Sequence, residues 1–202
     1  RWDSLVANGP AWHDRFPSLK FDNISQEAFP PKERMAQYFE DYAKMLDAPV
    51  RTGVEVHQVV RLLGRSGFKV VTSAGEFEAD NVVAATGPFQ KPSFPQIVPE
   101  TTGLQQIHSS AYKNPQQLPA GGVLVVGAGA SGTQIAEELR KSGREVYLSV
   151  GEHYRPPRAY RNRDYCWWLG ALGLWDEVKI KPKKEHVAFA VSGYEGGKTV
   201  DF

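Results

Sequence analysis

The apolar and polar positions of this chain change period several times, and each change marks an element. Val123 to Val126 is a continuous apolar run rich in β-branched residues, the pattern of a parallel-sheet strand buried on both faces. Glycines follow at 127, 129 and 132, and from Ser131 the residues Ile135, Ala136 and Leu139 fall at helical spacing. Lys141, Gly143 and Arg144 give that helix a positively charged, glycine-punctuated end, and residues 145–150 supply a second strand. Upstream, Met35, Tyr38, Phe39, Tyr42, Met45 and Leu46 form one apolar stripe, with Lys32, Glu33, Glu40 and Asp41 elsewhere on the wheel. That spacing predicts a helix over residues 31–46, with Pro31 in its first turn and the stripe packed in a core. Residues 54–60 and 68–73 read as strands of a small antiparallel sheet, with a tight turn over Ser73-Ala74-Gly75-Glu76 before Phe77. Asn81 to Ala85 repeats the buried-strand pattern and stops at Thr86-Gly87-Pro88.

The remaining stretches lack a clear period. Residues 1–30 interleave Trp2, Trp12, Phe16, Phe21 and Phe29 with Pro10, Pro17 and Pro30, and such a segment needs a surface to lie on. Residues 88–119 are rich in proline and read as a connection between two lobes. After Val150 comes a loop with Arg155, Arg158, Arg161 and Arg163, then an aromatic stretch at 165–174 expected to hold a short helix. The lysines at 179, 181, 183 and 184 read as a solvated linker, and the end as a strand, a turn at 194–198 and the start of another strand.

Composition changes this picture little. At 202 residues the chain is long enough to bury a real core, as one large domain or two small ones. Lys plus Arg number 24 against 23 for Asp plus Glu, a net charge of +1 that implies no global attraction to nucleic acid or membrane. The single cysteine, Cys166, excludes an internal disulfide framework, a C-x-x-C pair and a thiolate zinc site. With no signal peptide at its start and no apolar run long enough to cross a bilayer, the chain is expected to be cytoplasmic. Its opening, R-W-D-S-L, lacks an initiator methionine and precedes any strand, which leads us to expect a truncated or processed chain.

The chemistry centres on the glycines. Gly127 turns the chain, Gly129 lets backbone approach a diphosphate, and Gly132 lets helix pack on strand, with the diphosphate on free N–H groups and Ser131 facing it. A G-x-G-x-x-G between a strand and a helix, closing on a second strand, meets the context test for a dinucleotide site. The second strand ends Ser149-Val150-Gly151 without a carboxylate at its tip. Arg155 and Arg158 lie within a loop's reach, so NADP is favoured over NAD. His108 reads as a hydrogen-bonding structural residue, the other histidines lack zinc-ligand spacing, and no G-x-S-x-G elbow offers a nucleophile.

Several of these segments together resemble the flavin-containing monooxygenase family. The G-A-G-A-S-G of Gly127 to Gly132 looks like its NADPH-binding glycine motif, and Ala85-Thr86-Gly87 is similar to the A-T-G that links its flavin and NADPH domains. The segment ending I-H-S-S-A-Y resembles the signature F-x-G-x-x-x-H-x-x-x-Y/F, with His108 and Tyr112 on matching positions and Thr102 and Leu104 departing from it. Ser4 to Asn8, S-L-V-A-N, is similar to the segment whose asparagine lies against the flavin. The resemblance implies an α/β two-dinucleotide-binding-domain flavoprotein, a Rossmann-like NADPH-binding domain inserted in a partial FAD-binding domain. The boundaries would be 1–88 for the FAD part, 89–188 for the NADPH domain and 189–202 for the return. It implies FAD and NADPH as cofactors, hydride transfer from NADPH to flavin, O2 activation and oxygenation of a small soft nucleophile or ketone. Asn8 would donate its amide to the oxygenated flavin and to NADP+, Trp2 would lie near the isoalloxazine, and Val56 would contact adenine through its backbone. Thr86, Gly87, His108 and Tyr112 would line the cofactors. The implied partners are a small-molecule substrate and O2, with no nucleic acid or membrane, and a homodimer is compatible. The family's first glycine motif, for the FAD diphosphate, is absent from these residues, so FAD is expected to bind poorly if nothing precedes Arg1. The alternatives are an NADP-binding module without catalysis and a pyridine-nucleotide reductase that needs no cysteine pair.

Overall fold

A computed structural model describes residues 1–87, 91–95, 97–151 and 157–176, and these fall into two compact units. One comprises residues 43–93, and the other residues 1–42 together with the chain from Phe94 onward. The division expected at 88/89 was drawn by cofactor. The compact units part at 42/43 and 93/94, and residues 1–42 pack with the glycine-turn module.

Helix α1, Lys32–Met45, runs close to the expected span. Met35 and Tyr38 pack with Ala11, Phe21, Leu19 and Ile24, and the Tyr38 ring stacks on Phe21 at 4.1 Å. Tyr38 also donates its hydroxyl to the Leu19 carbonyl at 2.8 Å and accepts from the Phe16 N–H at 2.7 Å, so one buried residue fixes an irregular segment from inside. The expected core stripe is therefore only partly core. Phe39, Met45 and Leu46 are exposed, although Tyr42 in the third turn still lies 4.6 Å from Phe16, ring to ring.

In the smaller unit, β1 (Val56–Arg61), β2 (Phe68–Thr72) and β3 (Gly75–Ala79) form an antiparallel sheet in the order β1-β2-β3. The β2–β3 turn closes at Gly75, whose φ of 113° a side chain would resist, with the Thr72 hydroxyl donating to the Gly75 carbonyl. The strand expected at 81–85 does not form: those residues are exposed, Val83 almost completely, and no described strand lies alongside them. An apolar run records what a chain can bury, and a strand also needs a neighbour to pair with.

In the larger unit, β4 (Val123–Val126), α2 (Ala130–Lys141) and β5 (Val146–Ser149) build a parallel two-stranded βαβ unit in register Val123 to Val146. Val123, Val125 and Val146 pack beneath Ile135 and Leu139 of α2, with Trp2 and Tyr112 completing the core. Burying Ile135 and Leu139 contributes about 1.5–3 kcal/mol each. Burial of β4 on both faces, as its sequence suggested, is corrected: Leu124 and Val126 on the other face are more than half exposed. The C-terminal end of α2 is fixed by Arg144, whose guanidinium donates to the carbonyls of Pro115, Leu118, Pro119 and Gly121 and so holds the incoming segment. Beyond β5, residues 159–164 form a small hairpin, β6 (Ala159–Tyr160) and β7 (Arg163–Asp164), where the sequence suggested only a loop. Arg161 and Asn162 turn it with positive φ values of 49° and 57°. Helix α3, Tyr165–Ala171, follows, capped by the Asp164 carboxylate on the Cys166 N–H. The readings of residues 177–202 lie outside the described residues. Among the described residues no helix is long and apolar enough to cross a membrane.

Candidate dinucleotide site and the segment beside it

The site is built where β4 gives way to α2. Gly127 takes a φ of 100°, closed to ordinary side chains, while its N–H donates to the Ser149 carbonyl of β5 at 3.0 Å. At Gly132 a Cβ would stand 1.9 Å from the Gly127 carbonyl oxygen, so only glycine lets helix meet turn here. Gly129 is the opposite case, with nothing within 4 Å of where its Cβ would be. Close packing at Gly132 and open space at Gly129 are the two requirements of a turn that receives a diphosphate from one side. Gly129 is also the N-cap residue of α2 and supplies no side-chain cap. The first-turn N–H groups, with Ser131 among them, are thus left without that cap at the end of the helix that favours anions. The residues present fit the diphosphate of a dinucleotide.

The other residues expected at the cofactors fall in several places. Trp2 is 3 % exposed and lies in the core with Ile135 and Leu139, so its ring is spent on packing. Tyr112, 2 % exposed, donates its hydroxyl to Glu138 at 2.7 Å and belongs to the same core. His108 is half-buried, with Nδ1 at 2.9 Å from the Ser110 hydroxyl and its ring edge-on to Phe94, which orders its own loop. Arg158, expected near the 2′-phosphate, lies in the segment after β5. Its guanidinium is buried beneath Phe29 and donates to Asp164 at 2.9 Å, because β6 and β7 fold that arginine inward. Arg155 lies outside the described residues. Val56, Thr86 and Gly87 belong to the smaller unit, Val56 at the start of edge strand β1 and Gly87 with a φ of 70°.

Asn8 stands out for a different reason. Its amide oxygen Oδ1 is buried and meets no hydrogen-bond donor among the described residues. Leaving such an oxygen unpaired costs about 1–3 kcal/mol, so a donor from a bound group would stabilise it. The backbone around it is tightly set. The Gly9 N–H donates to the Asp14 carboxylate at 3.0 Å, Asp14 also meets His13 Nδ1 at 2.7 Å, and a Cβ on Gly9 would collide with Asp14 at 2.2 Å. The orphaned oxygen fits a group bound against this turn.

One residue that sequence reasoning passed over completes the surroundings. Glu138, 2 % exposed, accepts from Ser4 Oγ at 2.9 Å and from the Tyr112 hydroxyl. Its signal in the sequence was a carboxylate on the apolar face of α2, three residues after Ile135. Cys166 is buried, and burial first, then the Asp164 carboxylate, pushes its thiol up to about 12.

The chain is similar to several known oxidoreductases. Residues 13–169 match the family model described as pyridine nucleotide-disulphide oxidoreductase. The chain is 42% identical over 176 residues to an uncharacterized CzcO-like oxidoreductase of Geobacillus kaustophilus, covering 86% of this chain and 49% of that protein. It is 37% identical over 111 residues to the flavin-containing monooxygenase iboF of Amanita muscaria, covering 52% of this chain and 20% of that one. Among solved structures, a variant of the flavin monooxygenase from Stenotrophomonas maltophilia superposes with a TM-score of 0.70 at 23% identity, over 90% of this chain and 52% of that one. Cyclohexanone monooxygenase bound to epsilon-caprolactone superposes with a TM-score of 0.57 at 23% identity, over 87% and 37%. These likenesses give the fold as that of the two-dinucleotide-binding flavoproteins. The chain spans about half the length of the CzcO-like oxidoreductase it matches.

Proposed function

The chain belongs to the pyridine nucleotide-disulphide oxidoreductase family and resembles the flavin-containing monooxygenases, and from that premise we propose that it carries the NADPH site and part of the flavin site of an FAD- and NADPH-dependent monooxygenase. Members of the flavin monooxygenase family use FAD and NADPH, and the flavin, when bound, supplies the acceptance of hydride and the activation of O2. The residues of this chain bind and orient. The glycine turn holds the nucleotide diphosphate on the first N–H groups of α2, and Asn8 offers its amide to the flavin and the nicotinamide. Arg155 takes the 2′-phosphate. The substrate is a small molecule with a soft nucleophilic atom or a ketone.

One observation carries this reading: the open side at Gly129 and the uncapped start of α2 lie on the helix whose buried Glu138 holds Ser4, four residues before Asn8 with its orphaned amide oxygen. The deciding experiment is NADPH consumption by the full-length protein, with its flavin absorbance recorded, in the presence and absence of sulfide, amine and ketone substrates. We expect a flavin band, oxidation that a substrate stimulates, and an oxygenated product. Oxidation that no substrate stimulates points instead to an oxidase or a non-disulfide reductase. Nucleotide binding without turnover points to a module without catalysis.

A further inference from the structure

A carboxylate shut inside a nucleotide-binding helix is expensive to keep, since removing it from water costs several kcal/mol unless hydrogen bonds replace the lost hydration. Glu138 is such a group. It lies in the middle of α2, 2 % exposed, and its two oxygens reach different parts of the chain. One accepts from Tyr112, which arrives from the connection before β4, and the other accepts from Ser4 Oγ, 134 residues away in sequence. From Ser4 the backbone runs to Asn8 with little slack. Lys32 N–H donates to the Leu5 carbonyl at 3.1 Å, Ala7 N–H to the Pro30 carbonyl at 2.7 Å, and Gly9 N–H to Asp14. The segment is thus anchored at both ends by carboxylates, Asp14 beyond Asn8 and Glu138 before it. Apolar packing would hold the same surfaces together without fixing their register; two oriented hydrogen bonds from one rigid helix fix it.

We propose that Glu138 is a positioning residue: through Ser4 it ties the segment carrying Asn8 to the helix that opens on the glycine turn, so that a nucleotide seated at that turn and the Asn8 amide are held as one body. The inference rests on the functional reading above only for what occupies the two places. The linkage itself belongs to the described chain. Because α2 is continuous from Ala130, just after Gly129, to Lys141, ordering its first turn around a diphosphate also orders the point from which Ser4 hangs.

Hydrogen–deuterium exchange on the full-length protein, with and without NADP+, tests it. In the parent protein NADP+ should slow exchange of the amides of residues 5–9 by about fivefold or more, the weight of roughly one hydrogen bond. Ser4→Ala removes one hydroxyl and should abolish that protection while NADP+ affinity stays within about twofold. Glu138→Gln, whose amide can still meet both partners, should keep the protection, and Glu138→Leu should lose it. With flavin bound, Ser4→Ala should raise the share of NADPH oxidation that ends as hydrogen peroxide without slowing flavin reduction, a split that a merely structural role does not produce. Bound NADP+ that protects residues 5–9 equally in Ser4→Ala, or does not protect them in the parent, overturns the proposal. If NADP+ does not bind at all, the functional reading is what fails. The tether then stands or falls on the free protein, where equal exchange of residues 5–9 in Ser4→Ala and the parent overturns it.

Discussion

Gly129 and Gly132 make opposite demands, and a single methyl group tells them apart. At Gly132 the added carbon meets a backbone carbonyl 1.9 Å away, which cannot swing aside as a side chain would. Gly132→Ala should therefore lower unfolding free energy by about 2 kcal/mol or more, read as a lower midpoint in denaturant. At Gly129 the same carbon meets open space and an ordinary extended backbone, so Gly129→Ala should change stability by less than about 1 kcal/mol. It should still weaken NADPH binding by about tenfold, because the methyl occupies the diphosphate's side of the turn. Equal loss of stability in both variants would contradict this division of labour. Arg155→Ala, if that arginine meets the 2′-phosphate, should cost NADPH about tenfold in affinity and leave NADH unchanged, as titration of both nucleotides would read. Gly127, Gly129 and Gly132 were legible in the sequence because a motif is a local pattern read in local context. Glu138 and Ser4 were not, since their meeting depends on how residues 1–8 lie across α2. Asn8 was reached only through resemblance, and its unpaired oxygen is a property of the fold that spacing does not encode.

Elements were legible where one stretch of chain supplied its own periodicity, and misleading where burial depended on a neighbour. α1, β1, β2 and the β4–α2–β5 unit stand within a few residues of the spans their patterns suggest, while β3 begins at Gly75, inside the residues read as a turn. Residues 81–85 carry the same apolar signal and form no strand, and the outer face of β4 is exposed, because pattern reports capacity for burial rather than the presence of a partner. The hairpin at 159–164 escaped notice for the opposite reason: its strands are two residues each, too short for any period. Arg144 shows how an element end can be set by one residue. Its fork reaches Leu118 at 2.7 Å and three further carbonyls, tying the last turn of α2 to the chain that enters β4. Arg144→Ala should destabilise the protein by about 2–3 kcal/mol, since several carbonyls lose a charged donor together. Arg144→Lys should recover less than half, because a point charge cannot span the same fork. Thermal unfolding of the two variants separates the fork from the charge.

At the scale of the whole molecule, Asp3 and Cys166 contribute pH dependence of opposite sign. Asp3 lies beside residues far away in sequence: the Asn114 amide donates to its carboxylate at 2.8 Å, and Lys32 pairs with it at 3.4 Å. Asn114 first, then Lys32, hold its carboxyl below the usual value of 3.8. A carboxyl whose folded value is depressed contributes stability above its unfolded value and loses it as pH falls through the folded one, so the tie between residues 3, 32 and 114 weakens below about pH 4. Cys166 acts at the other end. Its thiol, raised from 9.0 to about 12, binds a proton in the folded state that the unfolded chain has released. That contribution is complete below pH 9 and is lost as pH climbs toward 12, because the native state then holds more protons than the unfolded one. Tyr147, raised by its bond to Glu145, adds to the alkaline loss. Asp3→Asn should lessen the fall of the thermal midpoint below about pH 4 without changing it on the alkaline side, and Cys166→Ala should lessen the fall above pH 9 without changing it on the acid side. The same shift makes Cys166 inert to thiol reagents at pH 8 in the folded protein and reactive once it is unfolded. A fast reaction of the native thiol would show that the α3 region opens readily, and that the pairing of Arg158 with Asp164 does not hold it shut.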